Sequence, residues 1–233
     1  MIPKTIHYCW FGGKEKPKLA QKCIRSWKKY CPDYKIIEWN ENNFDVHQND
    51  YTSFLYENKK YAFLSDYVRL KVVFDQGGVY FDTDVEVIKS IDNFLKYEAF
   101  YGFENDQYVA SGLGFGAEKG HITLAKMLEI YDNTQPNNDN TFPITGCPII
   151  NTNALVELGL LRNGKMQMVC NAIILPEDYL NPYDDPTGRL NKTNNTVSIH
   201  WYAKSWMSKG KIIRSTLSKP LHRLLGKDFF RRK

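Results

Sequence analysis

The 233-residue sequence lacks the features that mark membrane-spanning, exported and zinc-stabilised chains. It has no run of about 18 apolar residues, so we expect no segment that spans a bilayer. Its first residues, MIPKTIHYCWFGG, contain no long apolar stretch followed by small residues, and we therefore expect no signal peptide. The five cysteines are odd in number and form no C-x-x-C pair, which disfavours structural zinc and a disulfide framework. Together these absences predict a cytoplasmic protein.

The positive net charge comes from one end of the chain, although the formal net charge of the whole is +5. Residues 204–233 contain ten Lys or Arg and one acidic residue, so the first 203 residues carry an excess of four negative charges. A nucleic-acid binder more often spreads basic charge over its folded surface and carries a readable motif, and we find none. The distribution predicts an acidic body with a basic tail and no nucleic-acid partner.

The composition and length fit one folded body. A hydrophobic content of 42% and an aromatic content of 14% are typical of globular proteins. The length allows one well-filled core, and neither an internal repeat nor a linker divides the chain. We expect a single domain over residues 1–206, followed by a basic amphipathic tail over residues 207–233.

The first part of the chain alternates between strand and helix patterns. Thr5–Trp10 and Tyr34–Trp39 are predicted strands. Between them, an amphipathic helix that begins near Pro17 is predicted by four apolar residues that recur every four positions: Leu19, Cys23, Trp27 and Cys31. Tyr61–Gln76 is a predicted helix that a Gly-Gly pair ends, and Val79–Phe81 is a buried strand. This order predicts an α/β fold with a parallel sheet, in which ligands bind at the carboxyl ends of the strands. The second half of the chain gives no comparable pattern.

The tripeptide Asp82-Thr83-Asp84 follows the last of these strands, at the predicted ligand edge of the sheet. Two carboxylates this close together repel each other unless a cation lies beside them. Hard cations such as Mg²⁺ or Mn²⁺ prefer oxygen ligands and are often completed by phosphate oxygens, so a diphosphate is the natural partner. The alternative is a D-x-D tripeptide on a solvated loop, where such tripeptides are frequent.

The preceding helix carries Asp66 and Arg69 at i, i+3 on one face. The pair is either a surface ion pair, worth about 0–1 kcal/mol, or part of a binding site above the two aspartates. In the second interpretation Asp66 accepts hydrogen bonds from sugar hydroxyls, and Arg69 braces it or contacts the donor.

Three motifs carry a family resemblance: IHYCWFGG at 6–13, SDYVR at 65–69 and GGVYFDTD at 77–84. In this order and spacing they resemble the DXD glycosyltransferase family that includes yeast initiating α-mannosyltransferases, bacterial capsular-polysaccharide transferases and the clostridial glucosylating toxins. The resemblance implies a GT-A fold, a Mn²⁺ or Mg²⁺ ion, and sugar transfer with retention of anomeric configuration.

The resemblance also implies roles for single positions. The implied catalytic residues are Asp66, Arg69, Asp82 and Asp84. The implied donor-binding residues are Trp10, which would stack on the base, together with Ser65, Tyr80, Ser205 and Trp206. The implied metal ligands are Asp82, Asp84 and His200. Trp10 and His200 could instead be packed residues of the core.

Two loops of the second half resemble acceptor-binding loops of the family. They contribute Ser111 and Gly112 from one loop, and Thr145 and Gly146 from the other. Ordinary loop glycines are the alternative. Cys147 interrupts the usual Thr-Gly-Pro order of the second loop, so its local geometry departs from the family pattern.

The basic tail places five apolar residues on one helical stripe among lysines and arginines: Leu217, Leu221, Leu224, Leu225 and Phe229. A basic amphipathic helix of this kind binds an anionic membrane surface, with each basic group contributing about 1 kcal/mol. The leucines could equally pack on the body of the protein.

These features predict a metal-dependent retaining glycosyltransferase. The expected donor is a UDP-sugar, with a GDP-sugar possible, and the transferred group a hexose or N-acetylhexosamine. The expected acceptor is a glycan or lipid-linked oligosaccharide of capsular or other surface polysaccharide synthesis, at the inner face of the plasma membrane. One alternative is an aspartyl-phosphate phosphatase, because VYFDTDV also fits the Asp-x-Asp-x-Val pattern. The other is a glycan-binding protein of the same fold without turnover.

Overall fold

The computed structural model describes residues 1–204, 207 and 209–226. The strands are β1 (Thr5–Cys9), β2 (Lys35–Trp39), β3 (Gly78–Tyr80), β4 (Val85–Val87), β5 (Ala99–Gly102), β6 (Phe115–Ala117), β7 (Gln167–Val169), β8 (Ala172–Leu175), β9 (Tyr183–Asp184), β10 (Arg189–Leu190) and β11 (Ser198–His200). The helices are α1 (Lys18–Tyr30), α2 (Asp50–Glu57), α3 (Tyr61–Gln76), α4 (Ile122–Asp132), α5 (Cys147–Glu157), α6 (Glu177–Leu180) and α7 (Lys209–Leu225).

A seven-stranded sheet in the order β2-β1-β3-β6-β5-β8-β7 forms the centre of the molecule. The pairs β1–β2, β1–β3 and β5–β8 are parallel, whereas β6 and β7 run against their neighbours. Five strands therefore point the same way. The predicted parallel arrangement of the first three strands is confirmed, and the sheet as a whole is mostly parallel.

Helices cover both faces of this sheet and divide the core into two parts. On one face α3 contributes Leu64, Val68 and Leu70 to a large apolar cluster. On the other face α1 buries Cys23 and Trp27 in a second cluster. The four-residue spacing that predicted α1 is thus the spacing of its buried side chains.

Glycine fixes the junction between α3 and β3. Gly77 ends α3 with φ +68° and Gly78 begins β3 with φ +118°, both in the region that favours glycine. A Cβ atom on Gly78 would lie 2.8 Å from Nε2 of His7 on β1. The predicted Gly-Gly stop is confirmed, and it also allows the close approach of β3 to β1.

A separate two-stranded ladder joins β4 to β11, with His200 paired opposite Val85. The indole N–H of Trp27 donates to the carbonyl oxygen of Val85 (2.8 Å), so α1 contacts β4 directly. Through this ladder, His200 from the second half of the chain lies next to the D-x-D motif.

Several elements escaped prediction. The helix α2, capped by the side chain of Asn49, was not predicted, and neither was any element from β5 to β11. All five cysteines are free thiols, in agreement with the expected absence of a disulfide framework. Within the described residues, no helix combines the length and hydropathy that crossing a bilayer requires. The boundary at 206/207 stays a prediction.

Candidate active site

The two aspartates of the D-x-D motif flank the turn between β3 and β4. The backbone N–H of Phe81 donates to the carbonyl oxygen of His7 (3.1 Å) and extends the pairing of β3 with β1. The N–H of Val85 then donates to the carbonyl oxygen of Asp82 (2.9 Å), which closes the turn around Asp84. Both aspartates therefore lie at the carboxyl edge of the parallel strands, where α/β folds bind ligands.

Asp66, Arg69 and Asp82 form a buried ion network at this edge. One guanidinium nitrogen of Arg69 lies 2.9 Å from Asp66 Oδ1 and 3.0 Å from Asp82 Oδ1, so the side chain links α3 to the end of β3. Its Nε donates to the carbonyl oxygen of Ser65 (3.1 Å), and the hydroxyl of Tyr80 donates to Asp82 Oδ1 (2.9 Å). The i, i+3 pair is therefore a buried bridge and not a surface ion pair, since Arg69 is only 3% exposed.

Burial sets the protonation of this network. It raises the pKa of Asp66 to about 6, against the opposing effects of Arg69 and of the thiol and backbone N–H of Cys147. Burial likewise raises the pKa of Asp82, with Arg69 again opposing it. Because one guanidinium serves two carboxylates, the ionised network has surplus negative charge that favours a cation or hydroxyl donors beside it.

Asp84 forms a second group with the last residue of β11 and the segment that follows it. The Nε2 atom of His200 lies 3.3 Å from Asp84 Oδ1, and the backbone N–H of Ala203 donates to Asp84 Oδ2 (2.7 Å). Burial raises the pKa of Asp84, but His200 and this backbone donor outweigh it and lower the pKa to about 2. For His200, burial lowers the pKa but Asp84 raises it by more, so the net pKa is raised.

Asp82, Asp84 and His200 each offer one ligand atom, and these three atoms lie within 4.8 Å of one another. The other ring nitrogen of His200, Nδ1, is buried and has no hydrogen-bond partner among the described residues. Two carboxylates and a neutral imidazole are a donor set that a divalent cation accepts. The three predicted metal ligands are thus brought together, and their donor atoms fit a divalent cation.

The loop with Ser111 and Gly112 contacts the ion network directly. The backbone N–H of Ser111 donates to Oδ1 of the buried Asn151 (2.9 Å), which fixes the loop on α5. A Cβ atom on Gly112 would lie 2.8 Å from Asp82 Oδ2 and 3.1 Å from Arg69 Nη1. Glycine at 112 therefore leaves the space that the Asp82 carboxylate occupies.

The second predicted acceptor loop also leads into the network. Gly146 is the N-cap residue of α5, and Cys147 begins the helix. The Cys147 thiol lies 3.7 Å from Arg69 Nη1, and burial raises its pKa. The residue that departs from the family pattern thus packs against the network, and Thr145 and Gly146 directly precede it in the chain.

The predicted donor-binding residues lie in different parts of the structure. Trp10 follows the end of β1 at the same edge of the sheet, and the Lys16 ammonium lies 5.7 Å from its ring centroid. Ser65 donates its hydroxyl to a backbone carbonyl one turn earlier (2.9 Å). Tyr80 is buried beneath Arg69, whose guanidinium carbon lies 5.0 Å from the Tyr80 ring centroid. Ser205 and Trp206 lie outside the described residues.

A polar shell beside His200 was not predicted from the sequence. The amide of Asn181 donates to the carbonyl oxygen of Glu104 (2.9 Å) and to the hydroxyl of Tyr202 (2.8 Å). That hydroxyl donates to Glu104 Oε1 (3.3 Å), and the Tyr202 ring centroid lies 4.1 Å from that of His200. Burial raises the pKa of Glu104, with His200 opposing it. No short motif marks these residues, and β5, which Glu104 follows closely, was itself not predicted.

The mostly parallel sheet with its D-x-D turn at the carboxyl edge defines a GT-A-like glycosyltransferase fold. Residues 17–101 match the family model described as glycosyltransferase sugar-binding region containing DXD motif. Over these residues the chain is therefore similar to this glycosyltransferase family, as its motifs predict.

Two known proteins illustrate the likeness. The chain is 30% identical over 134 residues to inositol phosphoceramide mannosyltransferase 3 of Schizosaccharomyces pombe, an alignment over 54% of this chain and 36% of that protein. It thus spans about a third of the length of this curated relative. The solved structure of PaToxG glycosyltransferase superposes with a TM-score of 0.51 at 20% identity, covering 67% of this chain and 68% of the other. At that identity the superposition establishes the shared fold.

Proposed function

We propose that this protein is a metal-dependent retaining glycosyltransferase that moves a sugar from a nucleotide-sugar donor to a glycan or lipid-linked acceptor. The observation that carries the proposal is the approach of Asp82, Asp84 and His200 to within 4.8 Å, beside the buried Asp66–Arg69–Asp82 network. The family region and the fold support the same activity. We also propose a role in capsular or other surface polysaccharide synthesis, on the cytoplasmic side of the membrane.

Asp84 and His200, joined by Asp82, would hold Mn²⁺ or Mg²⁺. The bound ion would supply Lewis-acid stabilisation of the charge that grows on a leaving diphosphate. Asp84 suits this task because its low pKa, about 2, keeps it ionised at neutral pH. His200 must be neutral to bind the ion, so metal and proton compete for its ring nitrogen.

The protein's own contribution to transfer is to orient the donor sugar. Asp66 would accept hydrogen bonds from its hydroxyls, while Arg69 holds Asp66 and Asp82 at fixed positions. Trp10 would stack on the base at the end of β1. We propose no enzymatic nucleophile: the acceptor hydroxyl would attack from the face that the diphosphate leaves. Ser111, Gly112, Thr145 and Gly146 would face the acceptor.

The two alternatives have less support. A phosphatase would need Asp82 as a free nucleophile, yet its carboxylate already accepts from Tyr80 and pairs with Arg69. The late acidic residue Asp185, which that chemistry would require, forms ion pairs with Lys204 and Lys219. A glycan-binding protein without catalytic activity would not need candidate metal ligands beside the Asp66–Arg69 pair that is proposed to bind the sugar.

The direct experiment is a thermal-shift screen of UDP- and GDP-sugars with and without Mn²⁺. GDP-mannose belongs in the screen because the yeast relative is named a mannosyltransferase. A donor at about 100 times its Kd stabilises the native state by about 2.7 kcal/mol, or roughly 5–10 °C for a chain of this size. The shift should require both donor and metal. If no nucleotide-sugar raises the midpoint in the presence of Mn²⁺, the proposal is wrong.

The variant Asp84→Asn tests the metal role within the same screen. It removes a metal ligand and should abolish the Mn²⁺-dependent shift and lower kcat by more than about tenfold, a loss above 1.4 kcal/mol. Asp106→Asn, an exposed acid-to-amide change, is the matched control. An Asp84→Asn protein that keeps more than about a tenth of wild-type kcat would contradict the role.

A further inference from the structure

The helix α7 packs on the body with its polar side. Lys219 donates to the hydroxyl of Tyr183 (2.8 Å) and lies 3.3 Å from Asp185 Oδ1. Arg223 Nε donates to the backbone carbonyl oxygen of Thr187 (2.6 Å), so both side chains grip the β9–β10 hairpin. A helix at the surface of a globular protein normally turns its apolar stripe inward. In α7 the direction is reversed.

The outward side of α7 is apolar. Ile213 is 59% exposed, Leu217 72%, Leu221 45% and Leu224 82%. At 100° per residue these four side chains fall within a strip about 80° wide, roughly opposite Lys219 and Arg223. The strip is continuous along most of α7, which distinguishes it from the scattered apolar residues that any surface carries.

The charges around this strip are of one sign. Residues 209–226 contain no Asp or Glu, and Lys211 and Arg214 are exposed on the same helix. Arg214 borders the apolar strip, one position beyond Ile213. The first 203 residues, in contrast, carry an excess of four negative charges. An anionic surface would therefore attract the protein through α7 and repel most of the rest of it.

We propose that α7 docks this protein on an anionic membrane surface. The strip Ile213–Leu217–Leu221–Leu224 would enter the boundary between headgroups and acyl chains, and Lys211 and Arg214 would reach the headgroup phosphates. A second copy fits less well, because pairing two such strips would bring like charges together. The proposal is independent of the sugar-transfer activity, which is measured without lipid.

Docking would hold the candidate active site close to the lipid. Lys204 pairs with Asp185 (2.6 Å) and donates to Ser215 of α7 (2.6 Å), so it joins the helix to the hairpin. Ala203, the residue before it, donates its N–H to Asp84. The anchor of α7 and the metal-ligand group therefore belong to one short segment, and a lipid-borne acceptor would meet the site at the membrane surface.

Vesicle flotation with the full chain tests the proposal. Wild-type protein should float with vesicles of phosphatidylcholine containing about one third phosphatidylglycerol, and much less with pure phosphatidylcholine. Binding should weaken when salt is raised from about 0.1 M to 0.5 M. Absence of flotation with the anionic vesicles at low salt would overturn the proposal.

Two variant pairs identify the surface. Leu217→Ser with Leu221→Ser should weaken binding about tenfold or more, because each leucine loses its apolar burial in the lipid. Lys211→Glu with Arg214→Glu should remove the preference for anionic lipid. The matched control is Leu161→Ser with Met168→Ser, two exposed apolar residues outside α7, which should change nothing. Equal losses in the control and leucine pairs would contradict the assignment of this surface.

Light scattering coupled to gel filtration separates the remaining outcome. The wild type should be a monomer without lipid. A wild-type dimer that Leu217→Ser with Leu221→Ser converts to a monomer would show that a second copy covers the strip, and would overturn the membrane proposal. Because all four positions of the strip are exposed, the circular dichroism spectrum of each variant should match that of the wild type.

Discussion

At the scale of single residues, Gly112 limits the space around the charged network. Its missing side chain leaves room for the Asp82 carboxylate and for one guanidinium nitrogen of Arg69. A methyl group there must push one of these groups aside, because contacts of 2.8 Å and 3.1 Å are too close for a carbon atom. Displacements of this kind cost activity far more than stability.

Gly112→Ala should therefore lower kcat about tenfold to a hundredfold while the thermal midpoint falls by only a few degrees. The measurement is donor hydrolysis with Mn²⁺ together with thermal unfolding. Gly210→Ala is the control, because a Cβ atom at position 210 meets nothing within 4 Å. Wild-type activity in Gly112→Ala would mean that the network tolerates a shifted Asp82.

Glu104 lies beside the candidate metal ligands Asp82, Asp84 and His200 but is not one of them. Its carboxylate favours the charged form of His200, and Tyr202 links it to the same ring. Residues that orient metal ligands typically change metal affinity about 10- to 100-fold when they are replaced. Glu104→Gln keeps the shape but removes the charge.

We expect Glu104→Gln to weaken Mn²⁺ binding about tenfold, measured by calorimetry on the purified chain. Glu15→Gln, an exposed position, supplies the control. The His200 ring should also titrate at a lower pH by nuclear magnetic resonance in the variant, because a neighbouring negative charge has been removed. Unchanged affinity and titration would show that Glu104 has no part in the site.

The candidate site was predictable where short motifs carry it. Asp82, Asp84, Asp66 and Arg69 stand in two compact segments whose spacing indicates their placement. Glu104 and its partners lie in different parts of the chain and are common residue types. Only the folded sheet brings them beside His200, so no local pattern could reveal them.

At the scale of elements, a buried histidine joins two strands to the end of a helix. His7 of β1 contacts the carbonyl oxygen of Gly77 through Nε2 (2.9 Å), and Trp39 of β2 donates its indole N–H to Nδ1 (3.0 Å). Nδ1 is therefore an acceptor, and Nε2 carries the proton. Burial lowers the pKa of His7, against the opposing effect of the Gly77 carbonyl. The native state thus holds His7 neutral.

The sign of the pH dependence follows from this. Below about pH 6.5 the unfolded chain protonates His7 more readily than the native state, so stability falls as pH falls, by up to about 1.4 kcal/mol per pH unit. Urea unfolding between pH 7.5 and 5.5 should show a shallower decline for His7→Gln than for wild type. His47→Gln, at an exposed position, should keep the wild-type slope. Equal slopes for His7→Gln and wild type would refute the assignment.

Helices were predictable where the sequence has a clear hydrophobic periodicity or a glycine pair that ends the helix. Helix α1 has a clear four-residue spacing, and α3 ends at a Gly-Gly pair, so both were predicted. The strands β5 and β8 are short and fully buried, and runs of this kind do not distinguish strand from helix. The antiparallel insertion of β6 depends on pairing across the sheet, which no local pattern encodes.

At the scale of the whole molecule, Asp185 fastens α7 to the rest of the chain. Its carboxylate lies between Lys204 and Lys219, and all three side chains are more than four-fifths buried. Ion pairs that keep some contact with solvent contribute up to about 1 kcal/mol, and this favours the packed position of α7 over a released one.

Asp185→Asn should release α7 and make trypsin cleavage within 204–223 about fivefold faster, the factor that corresponds to 1 kcal/mol of opening free energy. Asp75→Asn removes a more exposed ion pair on α3 and should leave the cleavage rate unchanged. Mass spectrometry of the early fragments locates the cut. Cleavage at the wild-type rate in Asp185→Asn would show that other contacts hold the helix.

The ladder between β4 and β11 has a consequence for how the protein is made. Asp84 and the backbone donor at Ala203 are 119 residues apart along the chain. When the first three quarters of the sequence have been synthesised, all residues of the central sheet are present. His200, which would complete the coordination of the ion, has not yet been added. On the proposed function, nascent chains should therefore form the sheet early and gain the capacity to bind a metal ion late. Products of premature termination that lack His200 would then not transfer sugar even where they fold.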